Sequence, residues 1–220
     1  MVSFPDMENT KDKYFLPGAL LIGLALIAGA IFWNGQHPAA GTQQAGGTAP
    51  TPSVNIKNVK TDGEPFIGNA NAPVTIAFWS DYQCPYCKAF EVGGVTGITV
   101  AAALPDIVKN YVDTGKVKIV FKDFAFLGND SITGAEYGRA IWKLYPSLYF
   151  TWRTAMYNAQ DQEGDKGFGN AASIDKLDAT ISGIDAAKVA ADVQMNASTY
   201  QAEIDADKTE AGNFGVNATP

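Results

Sequence analysis

Only two cysteines occur in the 220 residues, and they stand three positions apart in Cys84-Pro85-Tyr86-Cys87. Two thiols cannot staple a small disulfide scaffold, and a closed structural zinc site wants four Cys or His ligands. The single histidine, His37, sits in a low-complexity stretch and completes no such set, so no metal is expected. A bare Cys-x-x-Cys leaves three readings open: half of a metal site, two inert buried thiols, or a redox pair. Its surroundings separate them. Residues 74–79 read Val-Thr-Ile-Ala-Phe-Trp, apolar on both faces apart from Thr75, which predicts a central strand of a sheet covered by helices. Cys84 follows five residues later, and Pro85 suits the first turn of a helix, where its missing N–H would have no partner anyway. That helical stretch is interrupted at Gly93-Gly94, Gly97 and Pro105, resumes, and is closed by Gly115. Residues 116–126 then alternate as a second strand. The unit over 74–126 is strand–helix–strand, with the cysteines at the strand-to-helix turn.

At such a turn the unpaired N–H groups and the helix dipole stabilise a thiolate. Cys84 is therefore expected to be the exposed sulfur that exchanges with a substrate cysteine. Cys87, one helical turn on and more buried, is expected to resolve the mixed disulfide. A redox pair is the reading this context favours. It needs no cofactor beyond its own redox-active disulfide.

Residues 14–33 form a run of twenty without a formal charge, bracketed by Tyr14 and Trp33. As a helix this run spans about 30 Å, the thickness of a bilayer's hydrocarbon layer. A cleaved signal peptide fits a charged start and an apolar run too. The run exceeds a typical apolar region of about 7–15 residues, however, and no small-x-small cleavage site follows, which favours an uncleaved signal anchor. Lys11 and Lys13 precede it and the next basic residue is Lys57, so residues 1–13 are expected as a cytoplasmic tail and all that follows Trp33 as extracytoplasmic. Residues 34–53, rich in Gly, Pro and small polar residues, read as a flexible linker. Residues 131–211 read as helical throughout. Aromatics at helical spacing mark 135–145 and 148–157, parted by Pro146; Ser173 and Asp185 are N-cap candidates; and Ser198-Thr199-Tyr200-Gln201 has the form of a capping box with Gly212 as its stop. The net charge is −7 and the basic residues are scattered, so nucleic acid is not an expected partner.

Residues 78–91, Phe-Trp-Ser-Asp-Tyr-Gln-Cys-Pro-Tyr-Cys-Lys-Ala-Phe-Glu, resemble the active-site segment of the DsbA-like thiol–disulfide oxidoreductases of the bacterial periplasm and cell surface. Residues 112–124 are similar to that family's next strand and its lead-in, and 212–220 to the approach to its cis-proline loop. The resemblance covers residues 60–220. It implies an α/β, thioredoxin-like fold split by an all-helical insertion: 54–130 as the first part, 131–211 as the insertion, 212–220 as the return. It implies Pro220 as a cis-proline facing the cysteines, Thr219 as backbone offered to an extended substrate segment, and Pro85 and Tyr86 as the dipeptide that tunes the pair. It further implies Glu91 and Lys122 as a buried acid and its partner, able to relay protons for the thiols; a surface glutamate and an ordinary strand lysine are the competing reading. The segment 93–105 departs from the family's first helix in its length and its glycines. Family members continue through a β-hairpin and a final helix, so the chain is expected to be truncated at the cis-proline, leaving an open sheet edge and a poorly stable fold.

Pro-Tyr between the cysteines also occurs in glutaredoxins, so the dipeptide does not fix the direction of electron flow. Outside the membrane disulfides form and persist. The expected function is therefore that of a single-pass cell-membrane enzyme, held in the lipid bilayer by 14–33. It would donate the Cys84–Cys87 disulfide to exported proteins with cysteines and be recharged by a membrane redox partner. A membrane-tethered disulfide reductase or isomerase is the alternative within the same chemistry. A non-catalytic peptide-binding module is the alternative of another class.

Overall fold

The computed structural model describes residues 55–161 and 167–220. The tail, signal anchor and linker expected over 1–53 lie outside them. Among the described residues no helix is long and apolar enough to cross a membrane.

The sheet is built around the strand–helix–strand unit. A two-residue strand, β1 (Phe66–Ile67), precedes β2 (Val74–Ser80), which leads into helix α1 (Pro85–Glu91). The chain then runs through an irregular loop in which Gly93, Gly94 and Gly97 all take positive φ, the conformation that stops a continuous first helix here. A short helix, α2 (Leu104–Ile107), and a π-helical turn over Val108–Val112 lead to β3 (Val117–Asp123). β3 pairs parallel with β2, Val74 opposite Val117 through Ser80 opposite Asp123, and antiparallel with β1. Its other neighbour makes β3 the central strand, in the order β1-β3-β2, with Ile119, Val120 and Phe121 buried. Where the sequence suggested a central strand over 74–79, β2 lies at the edge of the described sheet, with Val74 51% and Ile76 37% exposed, and its last residues, Trp79 and Ser80, are buried. Both strands are apolar, so composition alone could not say which one has two neighbours.

The helical block follows. α3 (Asn129–Leu144) ends at Tyr145; Pro146 opens a 3₁₀ turn over Pro146–Leu148; α4 (Tyr149–Ala159) and α5 (Ala171–Asp178) lead to α6 (Ala186–Asn213). Asp185 caps α6 as expected, its Oδ1 accepting the Lys188 N–H at 3.1 Å. Two expectations are overturned. Asn170, not Ser173, caps α5, its side chain accepting the Ser173 N–H. The capping box at Ser198 starts nothing: α6 runs through it, because Val189, Val193, Tyr200, Ile204 and Ala211 form one buried stripe at helical spacing that continuous burial preserves. In α3, Gly134 and Gly138 lie one turn apart, and a Cβ at either would come within 3.0–3.1 Å of Tyr82 atoms, so the glycines give that ring its seat.

Charge as well as packing ties the block to the sheet. Arg139 of α3 donates to Asp123 at the end of β3 and to Glu64, each at 2.7 Å, and to Asp207 of α6. Burial raises the pKa of Glu64 and Asp123, and Arg139 opposes that rise.

Asp178 is fully buried at the end of α5; its Oδ1 accepts the Trp152 indole N–H at 2.6 Å and its Oδ2 has no hydrogen-bond partner among the described residues. Burial raises its pKa to about 6. Unfolded, the group ionises at about pH 4. Stability is therefore lost as pH rises from the unfolded to the folded pKa, and the loss is complete above it. Between pH 4 and pH 7 the stability difference between Asp178→Asn and the parent chain should move in the variant's favour, read as paired urea midpoints. A difference that does not change with pH would contradict this account.

Candidate active site

β2 ends at Ser80, and four residues later Cys84 caps α1, with φ −75° and ψ 120°, and Pro85 opens the first turn. The intervening turn is held by its own backbone and by Asp81. The Cys84 N–H donates to the Asp81 carbonyl at 3.1 Å, and the Cys84 carbonyl accepts the Lys88 N–H at 3.1 Å. The buried Asp81 carboxylate accepts three backbone N–H groups, from Gln83 and Phe126 at 2.8 Å and from Leu127 at 3.2 Å. It thus pins the cysteine turn to the chain leaving β3.

Both cysteines are thiols and both are buried, Cys84 4% and Cys87 0% exposed. The expectation of an exposed Cys84 is corrected here. The chain at Thr219 covers it, with the Cys84 thiol donating to the Thr219 carbonyl at 3.7 Å. The Thr219–Pro220 bond is cis, and Pro220 is exposed beside the pair. Tyr86 is 60% exposed between the two sulfurs' helix turns.

The two sulfurs differ sharply in acidity. The Cys87 thiol, donating toward Cys84, is the largest influence on it and lowers its pKa to about 6; burial opposes this, and the Thr219 side chain and the backbone N–H groups of Cys87 and Tyr86 assist. Burial pushes Cys87 far upward, and the hydrogen bond and negative charge of Cys84 add to the rise. One sulfur is a ready thiolate and the other holds its proton. The Thr219 hydroxyl is buried and makes no hydrogen bond of ordinary geometry among the described residues, yet it lies near enough to favour both thiolates.

The structure separates Glu91 from Lys122, which the sequence reading joined. Glu91 is buried in α1 and meets Arg153 of α4, whose Nε lies 3.1 Å from both carboxylate oxygens and whose second nitrogen also bonds it. Burial raises the Glu91 pKa and Arg153 opposes the rise. Lys122 instead sits in the Arg139 cluster, 2.8 Å from Glu64, 2.5 Å from Asp207 and 3.0 Å from Glu210. Burial works to lower its pKa, but Asp207 and Glu64 outweigh that. Lys122 is an anchor of α6, so the relay between the two is withdrawn.

Sequence reading missed the residues of α4. Arg153 is fully buried, its guanidinium 4.3 Å from the Phe121 ring centre and 5.2 Å from those of Tyr82 and Tyr157. It donates to Ser80 Oγ at 2.7 Å and to the Tyr82 hydroxyl at 3.2 Å. Tyr157 donates to the Asp81 carbonyl at 3.2 Å, and Gln160 to the carbonyls of Tyr82 and Cys84 at 2.8 and 3.1 Å. A signal existed: Arg153, Tyr157 and Gln160 share one helical face within an aromatic run. A cleft of about 640 Å³ opens beside Pro85, walled by Lys88, Val95, Thr96, Gln160 and Asp161. Among the described residues no cluster of three or more His, Cys, Asp or Glu could hold a metal ion.

Comparison with known proteins places the whole described site within one match. The thioredoxin family profile matches residues 60–220. A relative from Bacillus anthracis, named probable disulfide bond formation protein D, is 30% identical over 100 residues, 46% of this chain and 42% of the relative. Disulfide bond formation protein D of Bacillus subtilis is 31% identical over 98 residues, 44% of this chain and 40% of the relative. The matches thus span about two-fifths of the length of these curated relatives. Among solved structures, oxidised BdbD from Bacillus subtilis superposes with a TM-score of 0.61 at 24% identity, covering 73% of this chain and 80% of that one. The thiol-disulfide exchange protein alpha-DsbA2 from Wolbachia pipientis gives 0.57 at 26% identity, covering 71% and 73%.

Two outcomes follow from this geometry. Thr219→Val removes a hydroxyl that favours the thiolate, so the Cys84 pKa should rise above about 6, read from thiolate absorbance against pH. An unchanged titration would contradict the assignment. Arg153→Met strands Glu91 in the core and should cost about 3–5 kcal/mol in urea unfolding, while Arg153→Met with Glu91→Leu should recover most of that loss. A double variant no more stable than the single one would show that the pair's charge is not what the core depends on.

Proposed function

The chain belongs to the thioredoxin family, which the match over 60–220 shows, and on that premise we propose that it is a thiol–disulfide oxidoreductase acting as a disulfide donor. The observation that carries the direction is the split in acidity between the cysteines, Cys84 at about 6 and Cys87 pushed far above its ordinary value. A thiolate held stable at neutral pH stabilises the reduced pair, and that makes its disulfide oxidising.

In the donating reaction a substrate thiolate attacks Cys84 Sγ of the disulfide. The Cys84–Cys87 bond breaks, a mixed disulfide forms, and the Cys87 sulfur takes a proton, as its high pKa requires. A second substrate thiolate then attacks its own sulfur of the mixed disulfide. The Cys84 thiolate leaves readily because its pKa is low. The substrate has lost two electrons to form its disulfide, and the pair has gained them.

The substrates of this reading are exported proteins with cysteines, and the donor is recharged by a membrane redox partner. Support for the location comes from the sequence: the uncharged run 14–33, the lysines before it and the Gly- and Pro-rich stretch after it. They fit a single-pass cell-membrane protein with its N-terminus in the cytoplasm and the cysteines outside.

Thiol trapping in the native host tests the function. The pair should be found mainly oxidised, Cys84→Ser should abolish disulfide transfer, and Cys87→Ser should accumulate mixed disulfides with substrates. The purified pair should have a reduction potential above that of thioredoxin, which is about −270 mV. A mainly reduced pair with a potential below that value would assign the chain to the reductases instead.

A further inference from the structure

The face of α4 follows the approach to Cys84 residue by residue. Arg153 takes the Ser80 hydroxyl, Tyr157 the Asp81 carbonyl, and Gln160 the carbonyls of Tyr82 and Cys84. Gln160 is the last of these and 6% exposed. Both N–H bonds of its side-chain amide are spent on the turn, and its own backbone carbonyl accepts the Lys88 ammonium at 2.7 Å. A second grip lies next to it, where the Gln83 amide donates to the Phe168 carbonyl at 3.1 Å.

We propose that Gln160 is a positioning residue for the exchanging sulfur: its amide fixes the Cys84 carbonyl, and so holds the Cys84 side chain where the N–H groups of Tyr86 and Cys87 reach it. The peptide joining Cys84 to Pro85 has no N–H, so its carbonyl is the one polar handle of that peptide. That carbonyl accepts the Lys88 N–H within α1 and the Gln160 amide from the insertion. The first travels with the helix. Gln160 refers that carbonyl directly to another element, and thereby makes the insertion a determinant of the thiol chemistry. The titratable groups around this point are Cys87 and Lys88 on α1, Tyr82 before it, Tyr157 on α4 and Asp161 at the cleft.

This inference takes from the proposed function only that Cys84 is the sulfur that exchanges with substrate. Its test is the rate of Cys84 alkylation against pH in the full chain, which reads the thiolate whichever way electrons flow. Gln160→Met keeps the volume and removes both donors; it should raise the midpoint of the profile by about one pH unit and slow alkylation at pH 6 about fivefold, with rates converging at high pH. Gln160→Glu, whose carboxylate faces the same carbonyls without a donor, should raise the midpoint further. Near-ultraviolet circular dichroism reports that each variant is folded. Wild-type midpoints in folded variants would overturn the proposal. So would loss of the native spectrum in both, which would assign Gln160 to the fold rather than to the thiol. Neither result would touch the disulfide-donor reading, which stands or falls on trapping and potential.

Discussion

A thiolate at Cys84 depends on the Cys87 thiol one helical turn on, helped by the Thr219 hydroxyl and the first N–H groups of α1, and much of the surrounding architecture serves that geometry. The segment from Ser80 to Cys84 makes no regular structure, so nothing in its own backbone would keep it still. Asp81 ties it to the chain after β3, Tyr82 lies in the gap left by Gly134 and Gly138, and the polar face of α4 holds its carbonyls. From the other side Thr219 closes over the sulfur. The insertion therefore does more than cover the sheet. It supplies the frame in which a short helix can stabilise charge, since a seven-residue helix would not hold its orientation by propensity alone.

Three buried cations, in two clusters, divide this labour. Arg153 neutralises Glu91 beneath the cysteine helix and touches aromatic rings on several sides, so its desolvation is offset by a bidentate carboxylate and by ring faces together. Lys122 and Arg139 form the other cluster, whose carboxylates Asp207 and Glu210 belong to the last turns of α6. The chain beyond α6 delivers Thr219 to Cys84, and the Trp79 indole donates to the Asp207 carbonyl at 3.1 Å while its ring meets Phe214 at 6.1 Å. Trp79 lies just ahead of the cysteine turn. The two strands of chain that meet at the sulfur are thus braced against each other below it.

Local features were legible in the sequence where neighbours in the chain decide them. The strand–helix–strand unit, the proline-started helix at the cysteines, the break at Pro146 and the cap at Asp185 all depend on a few consecutive residues. The capping box at Ser198 is local too, and it misled because the buried stripe of α6 runs through it. Tertiary burial outweighed a terminus signal there. The partners of Glu91 and Lys122 were out of reach for a different reason. Arg153 lies 62 residues from Glu91, and Asp207 lies 85 from Lys122 by number, so no spacing rule joins them. Likewise the central position of β3 depends on its pairing with β1, which at two residues is too short to show any alternation.

The reversal over Cys84 is the most instructive of these. A cysteine at a helix start was expected to be exposed because reactivity needs access, yet its residue is almost entirely covered. Burial alone would raise its pKa, as it does for Cys87 one turn on. The opposite result at Cys84 arises because the cover is polar and directional: a thiol, a hydroxyl and two backbone N–H groups. Coverage by donors substitutes for water without its mobility. Burial thus holds the proton on Cys87 and is overcome at Cys84, and the difference between two sulfurs three residues apart comes from which polar groups reach each.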